Sequence, residues 1–193
     1  ARKRLVANRL IMGVDPGLTR CGVGVIREGA RRSVDFVFVD TVKASLDLPL
    51  QQRIWFVGNA IEELILQYKP DVIALERVFA QANLRSVMGV AQISGVVLFL
   101  AQKHGISIHM HTPSEVKAAV TGSGRAAKAQ IGEAVRRLLK LPEVPKPADS
   151  ADAIAIAITH AWRGIPQEQE GGATKAQQAW IAAERASKAK TKR

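Results

Sequence analysis

Short hydrophobic runs alternate with amphipathic stretches along this chain of 193 residues. Two β-type runs, residues 10–15 and 21–27, flank the turn segment DPGLTR, and alternation over residues 33–42 predicts a third strand. The runs VIALE and ISIHMH predict a fourth and a fifth. Because helical patterns alternate with the later strands, the sequence predicts an α/β fold with a mixed five-stranded sheet flanked by helices.

Apolar spacing of three and four residues predicts five helices between and after these strands. They are expected at residues 49–69, 83–103, 113–120, 126–140 and about 149–162. The second helix has apolar or small residues almost all round between Val87 and Leu100. A helix without a clear polar face must be covered on more than one side, so this helix is the candidate subunit interface.

Charge is distributed unevenly along the chain, which carries a formal net charge of +11. We expect a basic leader at residues 1–9, one domain at residues 10–163, and a basic, disordered tail at residues 164–193. Such an excess favours polyanions, although basic tails can also serve solubility alone. The lone Cys21 excludes an internal disulfide framework and suits a reducing cytoplasm. No segment predicts a signal peptide or a membrane span.

Four carboxylates stand out against this basic background. Asp15 and Glu76 end apolar runs, while Asp149 and Asp152 lie three apart at the start of an apolar helix, on one helical face. Each position has a simpler explanation: a turn for Asp15, pairing with Arg77 for Glu76, and a capping box for the helical pair. If the fold gathers them, they become candidate catalytic and metal-binding acids.

Oxygen ligands without cysteine or a clear histidine cluster suit Mg²⁺, with Mn²⁺ as a substitute. Two such ions about 3.5–4 Å apart can activate a water and stabilise the leaving oxygen of a phosphodiester. His109 and His111 share a strand face, but they are expected to be ordinary structural or exposed histidines rather than ligands.

Four segments, in order and spacing, resemble the motifs of the RuvC-type Holliday junction resolvases: GVDPGLTRCGVGVI, ALERVFAQANLRS, VKAAVTGSGRAAKAQI and PADSADAIAIAITHAW. The resemblance covers residues 10–163. It implies a ribonuclease H-like fold, a homodimer, and Mg²⁺-dependent nicking of two symmetric strands of a four-way DNA junction during recombination and repair. It also implies work beside a branch-migration motor. The four acids match the family's metal-binding acids, and the position of Asp149 is His in some members.

The same resemblance marks Lys117 and Lys128 as family lysines. We expect Lys128 to act catalytically near the scissile phosphate, where a cation stabilises developing charge, and Lys117 to bind the DNA backbone. Gly122 and Gly124 free the chain between them to approach a phosphate.

Further DNA contacts are predicted in the segment after Glu76. Phe79 lies between basic residues and is a candidate for stacking on an unpaired base, with core packing as the alternative. Arg77, Asn83 and Arg85 are candidate phosphate contacts by proximity alone.

Two other functions remain open from the sequence. The segment from Asp15 to Thr19 also resembles the phosphate loop of actin-like and sugar-kinase ATPases, although those proteins usually need two such lobes. A non-catalytic ribonuclease H-like domain that binds structured nucleic acid is the second. It would not depend on the four acids.

Overall fold

The computed structural model describes residues 8–77 and 84–163, with side chains from residue 87 in the second segment. The predicted tail, and all but the last two residues of the predicted leader, lie outside these ranges. The strands are β1 (Leu10–Asp15), β2 (Arg20–Glu28), β3 (Val34–Lys43), β4 (Val72–Glu76) and β5 (Ser107–His111). The helices are α1 (Leu50–Tyr68), α2 (Leu84–Lys103), α3 (Pro113–Thr121), α4 (Lys128–Leu138) and α5 (Ala148–Arg163).

The five strands form one mixed sheet in the order β3-β2-β1-β4-β5. The first three strands pair antiparallel, whereas β4 and β5 run parallel to β1. The prediction of a mixed five-stranded α/β sheet is therefore confirmed. In the parallel part, β1 and β4 end side by side, because Val14 pairs with Leu75.

Side chains on the two faces of the sheet enter two separate cores. Met12 and Leu75 pack with α1 and α2 on one face, whereas Ile11 and Ala74 pack with α3, α4 and α5 on the other. Alternation along a strand therefore points Asp15 and Glu76 toward the α5 face. The sheet thus directs both terminal carboxylates to the same side.

Helix α5 lies closer to the sheet than ordinary side chains would allow. A Cβ atom at Gly13 would collide with the carbonyl oxygen of Ala153, and one at Gly22 would collide with that of Asp149. Thr41 of β3 and Ser150 of α5 also share a buried hydrogen bond of 2.8 Å between their hydroxyls. These contacts fix the start of α5 against β1 and β2.

Local signals set the neighbouring helix ends. Thr112 caps α3, since its hydroxyl accepts from the Glu115 N–H at 3.2 Å and the Glu115 carboxylate accepts from the Thr112 N–H at 2.7 Å. Gly122 ends α3 with a φ of 82°, a left-handed conformation that favours glycine. None of the described helices combines the length and hydropathy that a membrane crossing needs.

Two local predictions need correction. Helix α4 spans Lys128–Leu138, two residues shorter at each end than the predicted 126–140, because Ala126 closes the preceding turn and Ala127 and Leu139 are the capping residues. Helix α5 begins at Ala148, so Asp149 lies inside its first turn and is not the capping residue. The capping-box interpretation of the Asp149 and Asp152 pair is therefore wrong.

Candidate active site

Three elements bring carboxylates together beside the sheet. Ligand oxygens of Asp15, Asp149 and Asp152 all lie within 4.8 Å of one another. Opposite ligands of a Mg²⁺ ion lie about 4.2 Å apart, since its bonds to oxygen are about 2.1 Å long. Small side-chain adjustments therefore allow these three groups to share one ion.

Glu76 lies beside this trio and outside the 4.8 Å group. It ends β4 next to the end of β1, and its charge raises the pKa of Asp15. Burial and then Asp152 raise the pKa of Glu76, and the charges of Lys128 and Lys117 offset only part of that rise. No ion pair joins Glu76 to Arg77 within the described ranges.

Burial and the repulsion between neighbouring carboxylates raise the pKa values of Asp15 and Glu76. Burial, followed by the charges of Glu76, Asp152 and Asp149, raises the pKa of Asp15 to about 8. Burial and then Asp152 raise the pKa of Glu76. The acids therefore repel one another, and a bound cation would relieve that repulsion.

Two cations from outside α5 partly offset this charge. Arg20, at the start of β2, places Nε 2.8 Å from Asp149 Oδ2. That oxygen is buried and has no hydrogen-bond partner, so the contact is an ion pair without hydrogen-bond alignment. Lys128 Nζ, at the start of α4, donates to Asp152 Oδ2 at 3.0 Å, and this bond raises the pKa of Lys128.

The donor set fits a hard divalent cation. All of its ligands are carboxylate oxygens, one of which is buried without a hydrogen bond, and the pKa of Asp15 is raised by burial and then by its anionic neighbours. Oxygen-only sites of this kind suit Mg²⁺ or Mn²⁺ rather than thiolate-bound metals. Asp15, Asp149 and Asp152 would hold the ion, with Glu76 beside them.

The lysines of the third motif lie on α3 and α4, and its glycines lie in the turn between these helices. Lys128 begins α4, whose first turn is closed by a 2.8 Å hydrogen bond from the Ala127 N–H to the Gln130 side chain. Lys117 lies on α3 and acts electrostatically on Glu76. Gly124 approaches α3, since a Cβ there would lie 3.3 Å from the Ser114 carbonyl oxygen.

The remaining predicted DNA contacts are only partly described. Arg77 is exposed, and its backbone N–H donates to the His111 carbonyl at 2.8 Å. Phe79 and Asn83 lie outside the described residues, as does the side chain of Arg85.

Three of the four histidines form a separate group on β5 and α5. His111 Nε2 lies 3.2 Å from His160 Nδ1, and the His109 ring stacks on His160 with centroids 4.9 Å apart. Burial lowers the pKa of His111 to about 4 and that of His160 to about 3. Within the described part of the chain, they do not join the acidic metal-ligand group.

Sequence reasoning missed one cation beside the acids, Arg20. Arg20 carried a usable signal, because it is the basic residue in the short turn directly after Asp15.

Comparisons with known proteins identify the family of this chain and agree with its fold. The family described as crossover junction endodeoxyribonuclease RuvC matches residues 11–160. The RuvC protein of Renibacterium salmoninarum is 52% identical over 176 residues, which cover 90% of this chain and 91% of that protein. That of Paenarthrobacter aurescens is 50% identical and covers 95% of this chain and 98% of that protein.

Solved structures give the same result. T. thermophilus RuvC in complex with a Holliday junction substrate superposes with a TM-score of 0.76 at 32% identity, covering 80% of this chain and 94% of that one. The mixed sheet with helices on both faces is thus a ribonuclease H-like fold, with acids at its strand ends. The chain belongs to the RuvC family of crossover junction endodeoxyribonucleases.

A first prediction concerns the stability of the metal-free protein. With chelator present, Asp15→Asn should raise the thermal midpoint at pH 8 by a few degrees, since about 1 kcal/mol shifts it by roughly 2–4 °C in a domain of this size. The folded pKa of about 8 exceeds the ordinary 3.8. Wild-type stability from this group is therefore fully present below about pH 4 and declines as the pH rises toward 8.

Thermal melts of both proteins from pH 5 to pH 8 measure this difference, which should grow with pH. Asp35→Asn, at an exposed position of β3, is the control and should leave the midpoint unchanged. A midpoint difference between Asp15→Asn and wild type that is independent of pH would contradict the prediction.

Proposed function

We propose that this chain is a structure-selective DNA endonuclease. It resolves four-way junctions by two symmetric, metal-dependent phosphodiester hydrolyses during recombination and repair. The observation that carries the proposal is the cluster of Asp15, Asp149 and Asp152, with Glu76 beside it, in a protein of net charge +11. Membership of the RuvC family supports it, as does the likeness to the junction-bound T. thermophilus structure.

The proposed cofactor is Mg²⁺, with two ions per site and Mn²⁺ as a substitute. When bound, the ions would activate the attacking water and stabilise the leaving oxygen. The chain itself holds the metal ligands in place. Asp15 and Glu76 lie at strand ends, and Asp149 and Asp152 lie on α5, which is packed against the sheet. Lys128 supplies a cation next to Asp152, where it can stabilise negative charge on the scissile phosphate.

We propose that residues around the acidic cluster bind the DNA backbone. Lys117 and Lys128 both act electrostatically on Glu76, and the turn from Gly122 to Gly124 joins the two helices that carry them, which suits contacts to consecutive phosphates. Arg77 is an exposed cation directly after Glu76. Phe79, Asn83 and Arg85 are retained as proposed contacts from the sequence.

A homodimer is the proposed assembly, and the exposed apolar face of α2 supports it. Met88, Leu98 and Phe99 are 59%, 37% and 65% exposed. Gly95 lies between them along the helix, exposed and with no atom within 4 Å of a Cβ built on it. Small residues on such a face allow close helix approach. Two sites related by a twofold axis would cut opposite strands of a similarly symmetric junction.

We also propose that the protein acts in the cytoplasm, beside a branch-migration motor. The ATPase alternative is weaker, because the carboxylates next to Asp15 come from β4 and α5 and thus match a divalent-metal nuclease site. The non-catalytic alternative would have no need for four gathered acids.

The principal test uses a labelled four-way junction and a matched linear duplex. Asp15→Asn, Glu76→Gln and Asp152→Asn should each lower nicking by more than about 100-fold, since even outer-shell partners of a metal are worth about 10–100-fold. Junction binding, measured by gel shift in Ca²⁺, should persist.

Asp35→Asn again provides the matched control, and it should nick as wild type does. Paired nicks confined to the junction are expected from the wild-type protein with Mg²⁺. Loss of junction binding to the same extent as nicking would argue that the acids are structural. Saturable ATP binding without nicking would favour the ATPase alternative.

The dimer generates a separate prediction. Phe99→Glu should give a monomer by light scattering and abolish paired nicks, because it places a charge on the apolar face of α2. Leu46→Glu is the control, since Leu46 is 73% exposed and lies outside α1 and α2. A Phe99→Glu protein that remains dimeric would refute α2 as the interface.

A further inference from the structure

Arg20 occupies an unusual position for a basic residue. It begins β2 on the same sheet face as Gly22, which lies directly under Asp149. Its Nε lies 2.8 Å from Asp149 Oδ2, while half of its side chain remains exposed. A cation is thus held against the candidate metal site from the solvent side.

The contact differs from an ordinary surface ion pair because its carboxylate is also a candidate metal ligand. Asp149 is one of the three acids whose oxygens lie within 4.8 Å of one another. The oxygen that faces Arg20 is buried and has no hydrogen bond. A guanidinium and a divalent ion would therefore compete for the same carboxylate, and their like charges would repel each other at such a short distance.

Resting on the proposed metal site, we infer that Arg20 is a positioning residue that competes with the divalent ion for Asp149. In the metal-free protein it holds the Asp149 side chain and offsets its charge. When the ion binds, the ion pair with Arg20 weakens or breaks. Arg20 therefore raises the metal concentration at which the site fills, while stabilising the protein before it fills.

Competition predicts opposite effects on two measurable quantities. Without metal, Arg20→Gln should lower the thermal midpoint, because Asp149 loses its cation. With metal, the same variant should bind Mn²⁺ more tightly, by about 3- to 10-fold. A purely structural role would lower both stability and affinity.

The experiment is calorimetric titration of DNA-free, full-length protein with Mn²⁺, together with melts in chelator. Lys43→Gln is the matched control. Lys43 pairs with Arg20 across β2 and β3, is exposed, and forms no ion pair within the described residues. It removes the same charge without the contact, so its Mn²⁺ affinity should change less than twofold.

Arg20→Lys keeps the charge but loses the guanidinium fork, so its Mn²⁺ affinity should fall between those of wild type and Arg20→Gln. It also keeps the inference testable if Arg20→Gln does not fold. Unchanged or weaker Mn²⁺ binding in the Arg20 variants would overturn the inference and leave the metal site standing. Absence of saturable Mn²⁺ binding to wild type would overturn the metal site itself, and this inference with it.

Discussion

The close approach of α5 to strands β1 and β2 is the contact on which the site depends. Gly13 and Gly22 make it possible, because a Cβ at either position would collide with a carbonyl oxygen of α5. The same contact places Asp149 and Asp152 next to Asp15. A helix held one side chain farther from the sheet would separate the acids, so main-chain packing determines the chemistry.

Charge opposes this packing. Gathering the acids raises the pKa of Asp15 to about 8, chiefly by burial and then by Glu76 and its other acidic neighbours. Arg20 and Lys128 each neutralise one acid of α5 at 2.8 and 3.0 Å. In the metal-free site, these two cations reduce the repulsion between the carboxylates only in part, and a bound metal ion would relieve the rest. Stability and function therefore make different demands on the same residues.

Much of the architecture followed from patterns in the sequence. The strand-end positions of Asp15 and Glu76 marked both acids as site candidates, and the ordered motifs identified the family. That the two acids point to one face follows from the register of β1 and β4 in the folded sheet. The capping interpretation of Asp149 failed because a helix start depends on the loop before it. Arg20 follows Asp15 within one short turn, which signals a cation near the acids, but its partner Asp149 lies far away in sequence, so local patterns could not predict the ion pair itself. Likewise, the sequence does not distinguish Gly13 and Gly22 from other strand glycines, because their contacts with α5 arise only in the folded structure.

The most direct measurement is Mn²⁺ binding, by calorimetry, to Gly13→Ala beside Gly58→Ala. At Gly13 the new Cβ would meet the backbone of Ala153, whereas at Gly58, on α1 at the opposite face of the sheet, its nearest neighbour is the Val96 side chain, at 3.1 Å. Gly13→Ala should weaken Mn²⁺ binding more than tenfold and lower the thermal midpoint, while Gly58→Ala should retain affinity within about threefold. Wild-type Mn²⁺ affinity in Gly13→Ala would contradict the dependence of the site on this contact.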